Sequence, residues 1–267
     1  MKFWQSLSFT ETEQLCDLAR IAEEVGFHGV LASDHLFYPE RLESRYPYSP
    51  DGDPGFAPET EWPEPFAAIA AMSAVTRTLR FCTMVYVLPM RHPLSVAKAT
   101  GTVAALSGGR FVLGAGAGWM KQEFAALGED FHTRGRRMDE MMEVLRKLWL
   151  GGMVEHHGDY YDFDPLQISP APPSPIPIWI GGASDAALRR AARLGDGWLG
   201  SGNDPADVPT ILEQLRQLRH QANREADPFE TIVPLTTPPD VSTLRRLEDQ
   251  GMTASVSYPL GHSLEGR

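Results

Sequence analysis

The residues best suited to chemistry are Asp34 and His35, which follow directly on the apolar run 29–33. A carboxylate next to an imidazole at a strand end can orient and tune it, and imidazole titrates near neutral pH. On this reading His35 gives or takes a proton and Asp34 sets its tautomer. The plainer alternative is that Asp34 braces the loop while His35 only hydrogen-bonds it. Three further places join a short apolar strand to very small residues: Gly114-Ala-Gly-Ala-Gly-Trp119, Gly181-Gly-Ala-Ser184 and Gly200-Ser-Gly202. Such residues leave the backbone free to approach something flat or anionic. Gly181, Gly182, Ala183 and Ser184 immediately precede a helical pattern, so exposed N–H groups and a positive helix end suit a phosphate there. Gly200 and Ser201 can add donors from the next loop. Ala117 and Gly118 offer bare main chain and Trp119 an aromatic face. The bulky, polar-poor stretch Cys82-Thr-Met84-Val85-Tyr86 suits an apolar wall behind an aromatic ring, or simply barrel filling.

Other chemistries find little support. There is no His-x-His or His-Glu-x-x-His, and His156-His157 has no spaced carboxylate on a rigid element, so no metal site is predicted. A Gly-x-Ser-x-Gly elbow and a Walker-type lysine loop are both missing. The Gly-x-Gly-x-Gly spacing at 114–118 matches a dinucleotide fingerprint only superficially. With binding surfaces plentiful and catalytic side chains few, a cofactor would carry the chemistry and the protein would position it.

The elements that must hold these residues alternate strictly. Thr10-Glu-Thr-Glu13 reads as a capping box, followed by Leu15, Leu18, Ala22 and Val25 on one helical face and Gly26 as the stop. Strands are predicted at 2–6, 29–33, 79–88, 111–115, 176–180, 197–199, 231–235 and 254–258. Helices fall at 65–75, from Pro93 to the Ser107-Gly-Gly109 stop, and at 138–150, 184–194, 207–224 and 242–250. Eight strands with helices between them and no linker composition favour one (β/α)₈ TIM barrel over residues 1–267, rather than an open doubly wound sheet. Loop 36–62 and segment 153–175 exceed ordinary connections, and the second could form a hairpin or a lid over the mouth. The chain ends soon after its last strand, which predicts a shortened or missing final helix and apolar surface that a homodimer partner could cover.

At 267 residues and 42% hydrophobic, the chain can bury a full core. Its net charge of −11 argues against a nucleic-acid partner. Cys16 and Cys82 read as buried thiols of a reducing compartment, and the absence of a signal-like or membrane-length apolar run predicts a cytoplasmic protein with no membrane partner.

Taken together, several stretches resemble the luciferase-like superfamily, in its branch that uses the deazaflavin coenzyme F420. They are residues 26–36, with Ser33-Asp34-His35; Arg91-His-Pro-Leu94; Leu106-Ser-Gly-Gly-Arg-Phe111; 114–119 with Glu123-Phe124; 134–140; and Pro177-Ile-Trp-Ile-Gly-Gly182 with Gly195-Asp-Gly-Trp198. The resemblance covers nearly the whole chain. It implies a TIM barrel with the deazaflavin over the C-terminal mouth and a non-prolyl cis peptide behind the ring, by position Met84–Val85. It further implies Asp34 and His35 at the reacting face, Ala117 and Gly118 against the ring, and Gly181 to Ser184 with Gly200 and Ser201 at the phosphate. Hydride transfer between F420 and an apolar or aromatic small molecule is then the expected activity, with Trp62, Tyr86 and Trp119 lining the substrate space. Reduced FMN with oxygen, as a monooxygenase, is the alternative, and a non-catalytic cofactor carrier a third reading. Trp119 stands where the family's sugar-phosphate dehydrogenases resemble this chain but carry a glutamate, so their substrate is not carried over.

Overall fold

The computed structural model describes residues 1–258, and the predicted shortening of the final helix lies outside them. Eight parallel staves close into a barrel. They comprise β1 (Lys2–Ser6), β2 (Gly29–Ala32), a broken third stave of β3 (Arg80–Thr83) and β4 (Tyr86–Val87), and β5 (Phe111–Gly116). Beyond the outer hairpin strands β6 (Val154–His157) and β7 (Asp162–Leu166) come β8 (Ile178–Gly181), β9 (Gly197–Leu199), β10 (Glu230–Pro234) and β11 (Ala254–Ser257). Pairing of β1 with β11 and of β3 with β5 closes the ring, which decides for the barrel over an open sheet.

The helices between staves start where the sequence supplies a cap. Pro65 opens α2 (Pro65–Ala74), with the Glu64 carboxylate accepting the Ala67 N–H at 2.7 Å. Pro93 opens α3 (Pro93–Leu106), and Ser184 caps α6 (Asp185–Leu194) by accepting from the Ala187 N–H at 3.2 Å. The capping box predicted at Thr10 does not form. A 3₁₀ turn over Thr12–Gln14 comes before α1 (Leu15–Glu24), and the Thr12 N–H and hydroxyl donate to Glu61 across the loop. A short helix, α4 (Lys121–Ala126), falls where none was predicted, and α5 (Arg134–Trp149) begins four residues before the predicted 138. α7 (Val208–Gln221) and α8 (Val241–Asp249) complete the set.

Inside the barrel, the indoles of Trp4 and Trp179 meet edge to face at 5.4 Å and fill its lower end. Gly29 and Gly197 make this possible: a Cβ on Gly29 would lie 2.3 Å from the Trp4 ring, and one on Gly197 2.5 Å from that of Trp179. Cys82 is fully buried, with its thiol pushed up by burial, whereas Cys16 is only half-buried, against expectation.

Segment 153–175 does form a hairpin, β6–β7, but not a lid. It packs on the outside of the barrel, where Glu140 of α5 accepts the N–H groups of Tyr160 and Tyr161 and bonds His156 at 3.1 Å. Tyr161 meets His92 at the start of α3, and no residue of the segment lines the mouth. Among the described residues, no helix is long and apolar enough to cross a membrane.

Candidate active site

A cavity of about 1020 Å³ opens at the C-terminal ends of the staves, where barrel enzymes assemble their sites. His35 lies in its wall, only 11% of its side chain exposed, with Nδ1 3.2 Å from Oε1 of Glu123. The same carboxylate oxygen accepts the Leu36 N–H at 2.8 Å. Glu123 is itself 1% exposed and sits on α4, so one buried carboxylate fixes both the imidazole and the backbone that carries it. Nε2 of His35 has no protein partner among the described residues and is left to meet a ligand. The sequence signal for Glu123 was the run Lys121-Gln-Glu-Phe-Ala-Ala126, good helix formers directly after the small residues of 114–118 and Trp119.

Asp34 does not touch His35, which corrects its expected tautomer-setting role. Its two oxygens receive Arg91 Nη1 at 2.5 Å and Nη2 at 2.8 Å, and Oδ2 also accepts the Val87 N–H at 2.8 Å. Burial works against the charge on Arg91. The hydrogen bonds and charge of Asp34 outweigh it, so the guanidinium titrates above the ordinary arginine value. Beyond the end of β2, Asp34 turns to Val87 of β4 and to Arg91, and His35 turns to Glu123 and the aromatic rings of the mouth.

Loop 36–62 spans part of this mouth with aromatic rings. Phe56 and Trp62 each lie 5.0 Å from the His35 ring, and Trp119 lies 5.8 Å from it. Phe9 packs on Trp62, and Tyr46 on Trp119. Trp62 and Trp119 both lie in the cavity wall, with Phe9, Phe56, Tyr46 and Tyr48. Tyr86 does not. It is 4% exposed, packed on Phe66 at 4.5 Å and covered by Arg91 at 4.3 Å. The break in the third stave turns it toward α2, and Val87 takes the wall instead.

That break is a cis peptide at Met84–Val85, at the position implied by the resemblance. The Met84 carbonyl accepts from Ser33 Oγ at 3.0 Å, and Ser33 in turn bonds Ser8 at 2.6 Å. Val85 reaches over the barrel axis: a Cβ on Gly116 would meet it at 2.5 Å, and one on Gly181 at 2.4 Å. Two glycines read from sequence as bare backbone for a ligand therefore first make room for Val85.

Beside Val85, the Ala117–Gly118 backbone forms a second wall. Opposite, Gly182, Ala183 and Ser184 lead into the first turn of α6, whose N–H groups lack carbonyl partners within the helix. Gly182 has φ +117°, and Gly200 and Ser201 border the same space. This arrangement can receive a flat ring over Val85, Ala117 and Gly118 and an anionic group at the helix start, so it fits a phosphorylated flavin-like cofactor. No cluster of three metal-ligating side chains occurs among the described residues.

The Bac_luciferase model, described as luciferase-like monooxygenase, matches residues 5–240. The chain belongs to that family. It is a luciferase-like oxidoreductase by kinship as well as by fold. An uncharacterised protein of Mycobacterium tuberculosis is 40% identical over 99% of this chain and 93% of its own length. An F420-dependent glucose-6-phosphate dehydrogenase of Nakamurella multipartita is 33% identical over 91% of this chain and 69% of its own. Among solved structures, an F420-dependent secondary alcohol dehydrogenase in complex with an F420-acetone adduct superposes with a TM-score of 0.77 at 16% identity, covering 99% of this chain and 94% of that one. At that identity the likeness speaks for the fold.

Proposed function

We propose that this oxidoreductase transfers a hydride between F420 and an uncharged, apolar or aromatic small molecule. The observation that carries the reading is the placing of His35, its Nδ1 held by buried Glu123 and its Nε2 unpartnered, beside a flat apolar platform and a phosphate-ready helix start. Bound at Val85, Ala117 and Gly118, the deazaflavin would supply a two-electron hydride carrier. The chain's own part is binding, orientation and the proton. With its Nδ1 proton donated to Glu123, His35 presents a bare Nε2 that can take a proton from a substrate hydroxyl, and in the reverse direction can return it. Phe56, Trp62 and Trp119 exclude water from that exchange and offer apolar faces. Glucose 6-phosphate, the substrate named for the Nakamurella relative, suits this end poorly, because the one cation that the aromatic loop brings to the cavity, Arg45, is held to the Asp51 carbonyl.

Titration of the purified protein with F420 and with FMN, followed by tryptophan fluorescence, tests the reading. The expected result is F420 binding in the micromolar range or tighter; FMN binding without F420 binding would overturn it in favour of the monooxygenase alternative. With any substrate that turns over, His35→Gln is expected to lower kcat by about 10²–10⁴ while F420 affinity stays within about twofold. Unchanged turnover would remove His35 from proton transfer.

A further inference from the structure

The cavity does not end at the helix start. It continues outward as a cleft between the first turns of α5 and α6, bordered by Arg134, Gly135, Arg136 and Arg190. This lining is unusual for a chain of net charge −11: among the described residues the cavity carries four arginines, Arg45, Arg134, Arg136 and Arg190, and two carboxylates, Asp34 and Asp139. Both carboxylates are already engaged, Asp34 by Arg91 and Asp139 by Arg190. Arg190 also donates to the Gly135 carbonyl at 3.0 Å, which ties the two helices together along the cleft. Arg134 has no carboxylate partner among the described residues. It is held by the carbonyls of Gly118 at 3.2 Å and Phe131 at 2.8 Å, with its guanidinium 3.7 Å from the Phe131 ring. Burial, and after it the charge of Arg190, push Arg134 below the usual arginine value. Arg136 is exposed, lies 6.0 Å from the Tyr160 ring and has no ion pair among the described residues, so it adds a second charge without a carboxylate. Asp139 balances Arg190, so among the described residues the charges of Arg134 and Arg136 are the two in the cleft that no carboxylate meets.

We infer that this cleft is a subsite for a polyanionic tail running on from the cofactor's phosphate, with Arg134 and Arg136 as its specificity-determining residues. The inference rests on the F420 reading above. The single phosphate of FMN would be satisfied at the N–H groups of the helix start, Ser184 to Ala186, since those of Gly182 and Ala183 are engaged by the Leu199 carbonyl and by Tyr48. The phosphodiester of F420 is followed by a chain of glutamate carboxylates, and carboxylates leaving the helix start meet the arginine cleft. Three of the four arginines stand on the α5–α6 side, while the fourth, Arg45 of the aromatic loop, is held to the Asp51 carbonyl.

The test compares binding of three deazaflavins, by their own fluorescence, to wild type, Arg136→Gln and Arg134→Gln/Arg136→Gln. The probes are F420 with its full glutamate chain, the same compound trimmed to a single glutamate, and the deazaflavin riboside-type alcohol lacking both phosphate and tail. In wild type at low salt the full-length form is expected to bind roughly 10-fold tighter than the trimmed form, about 1.4 kcal/mol. That preference should fall to within about twofold in the double variant, by about half in Arg136→Gln, and in wild type at 0.5 M NaCl. Arg136→Gln keeps the test valid if loss of the Arg134 carbonyl contacts lowers the melting temperature. Equal binding of long and short tails by wild type would overturn the subsite while leaving the F420 reading intact. So would glucose 6-phosphate binding that requires Arg136 when tail length has no effect, since the cleft would then serve a substrate phosphate. Failure of all three deazaflavins to bind would overturn the cofactor reading itself.

Discussion

Replacing Asp34 by asparagine separates a brace from a catalytic group. The side chain is nearly buried, and both oxygens are committed to the Arg91 guanidinium and the Val87 N–H. Asparagine keeps one acceptor but turns an amide N–H₂ toward a guanidinium whose side chain is only 16% exposed, so the stranded charge cannot be fully rehydrated. Breaking one side of such a pair costs about 3–5 kcal/mol. In a chain of this size that lowers the melting temperature on the order of 10 °C. The companion Asp34→Asn/Arg91→Gln removes the unpaired cation, and the two changes should fall short of additivity by about 0.5–3 kcal/mol. Thermal unfolding followed by circular dichroism at pH 7 reads both. If Asp34→Asn melts within about 2 °C of wild type and nevertheless abolishes turnover, the carboxylate acts on the reaction and the bracing argument is wrong.

Two further outcomes follow from contacts outside the proton-transfer pair. Desolvation opposes ionisation of Glu23, but the N–H groups of Thr78, Leu79 and Arg77 and the Thr78 hydroxyl outweigh it and hold the carboxyl at about 2, against 4.5 ordinarily. A folded-state value below the unfolded one stabilises above pH 4.5 and loses that contribution as pH falls toward 2. With solvent screening discounted, Glu23→Gln should cost about 1–2 kcal/mol in urea unfolding at pH 7; a deficit of equal size at pH 2.5 would refute the linkage. Gly116→Ala should cost about 1–3 kcal/mol, because its methyl would lie 2.5 Å from Val85, and Val85→Ala should restore much of the loss. No recovery in the double variant would show that Gly116 is required for some reason other than space.

Much of this was legible in the residues because the signals were local. Strand–helix alternation, Pro65 and Pro93 at helix starts, the Ser184 cap and the glycine stops each act within a few residues, and each is where the sequence puts it. Contacts that depend on distant parts of the chain were not legible. In place of the Thr10 capping box, Thr12 donates to Glu61, 49 residues away, and Asp34 found Arg91 at a separation of 57. His35 was correctly placed at the mouth, but its partner was misread, since the adjacent Asp34 points the other way and Glu123 arrives on a helix 88 positions later. Tyr86 failed for a related reason: strand alternation cannot be carried across the break at Met84–Val85.

The small residues at the strand ends illustrate how one signal serves two causes. Read alone, Gly116 and Gly181 announce a ligand. In the structure their missing side chains admit Val85, and Val85 then presents an apolar knob to the cavity between the Ala117–Gly118 backbone and the start of α6. Packing and binding are therefore linked at this point rather than competing explanations. A larger residue at either glycine would displace the knob before it met any cofactor, so loss of ring binding in such a variant would report on Val85 first. Gly182 is different. Its φ of +117° and its place at the helix start leave a space bordered by Ala187 and the Tyr48 hydroxyl, each 3.1 Å from where a Cβ would lie. Its own N–H and carbonyl are taken by Leu199 and Trp198, so a bound anion would fall to the next N–H groups, Ser184 to Ala186, from which the arginine cleft leads outward.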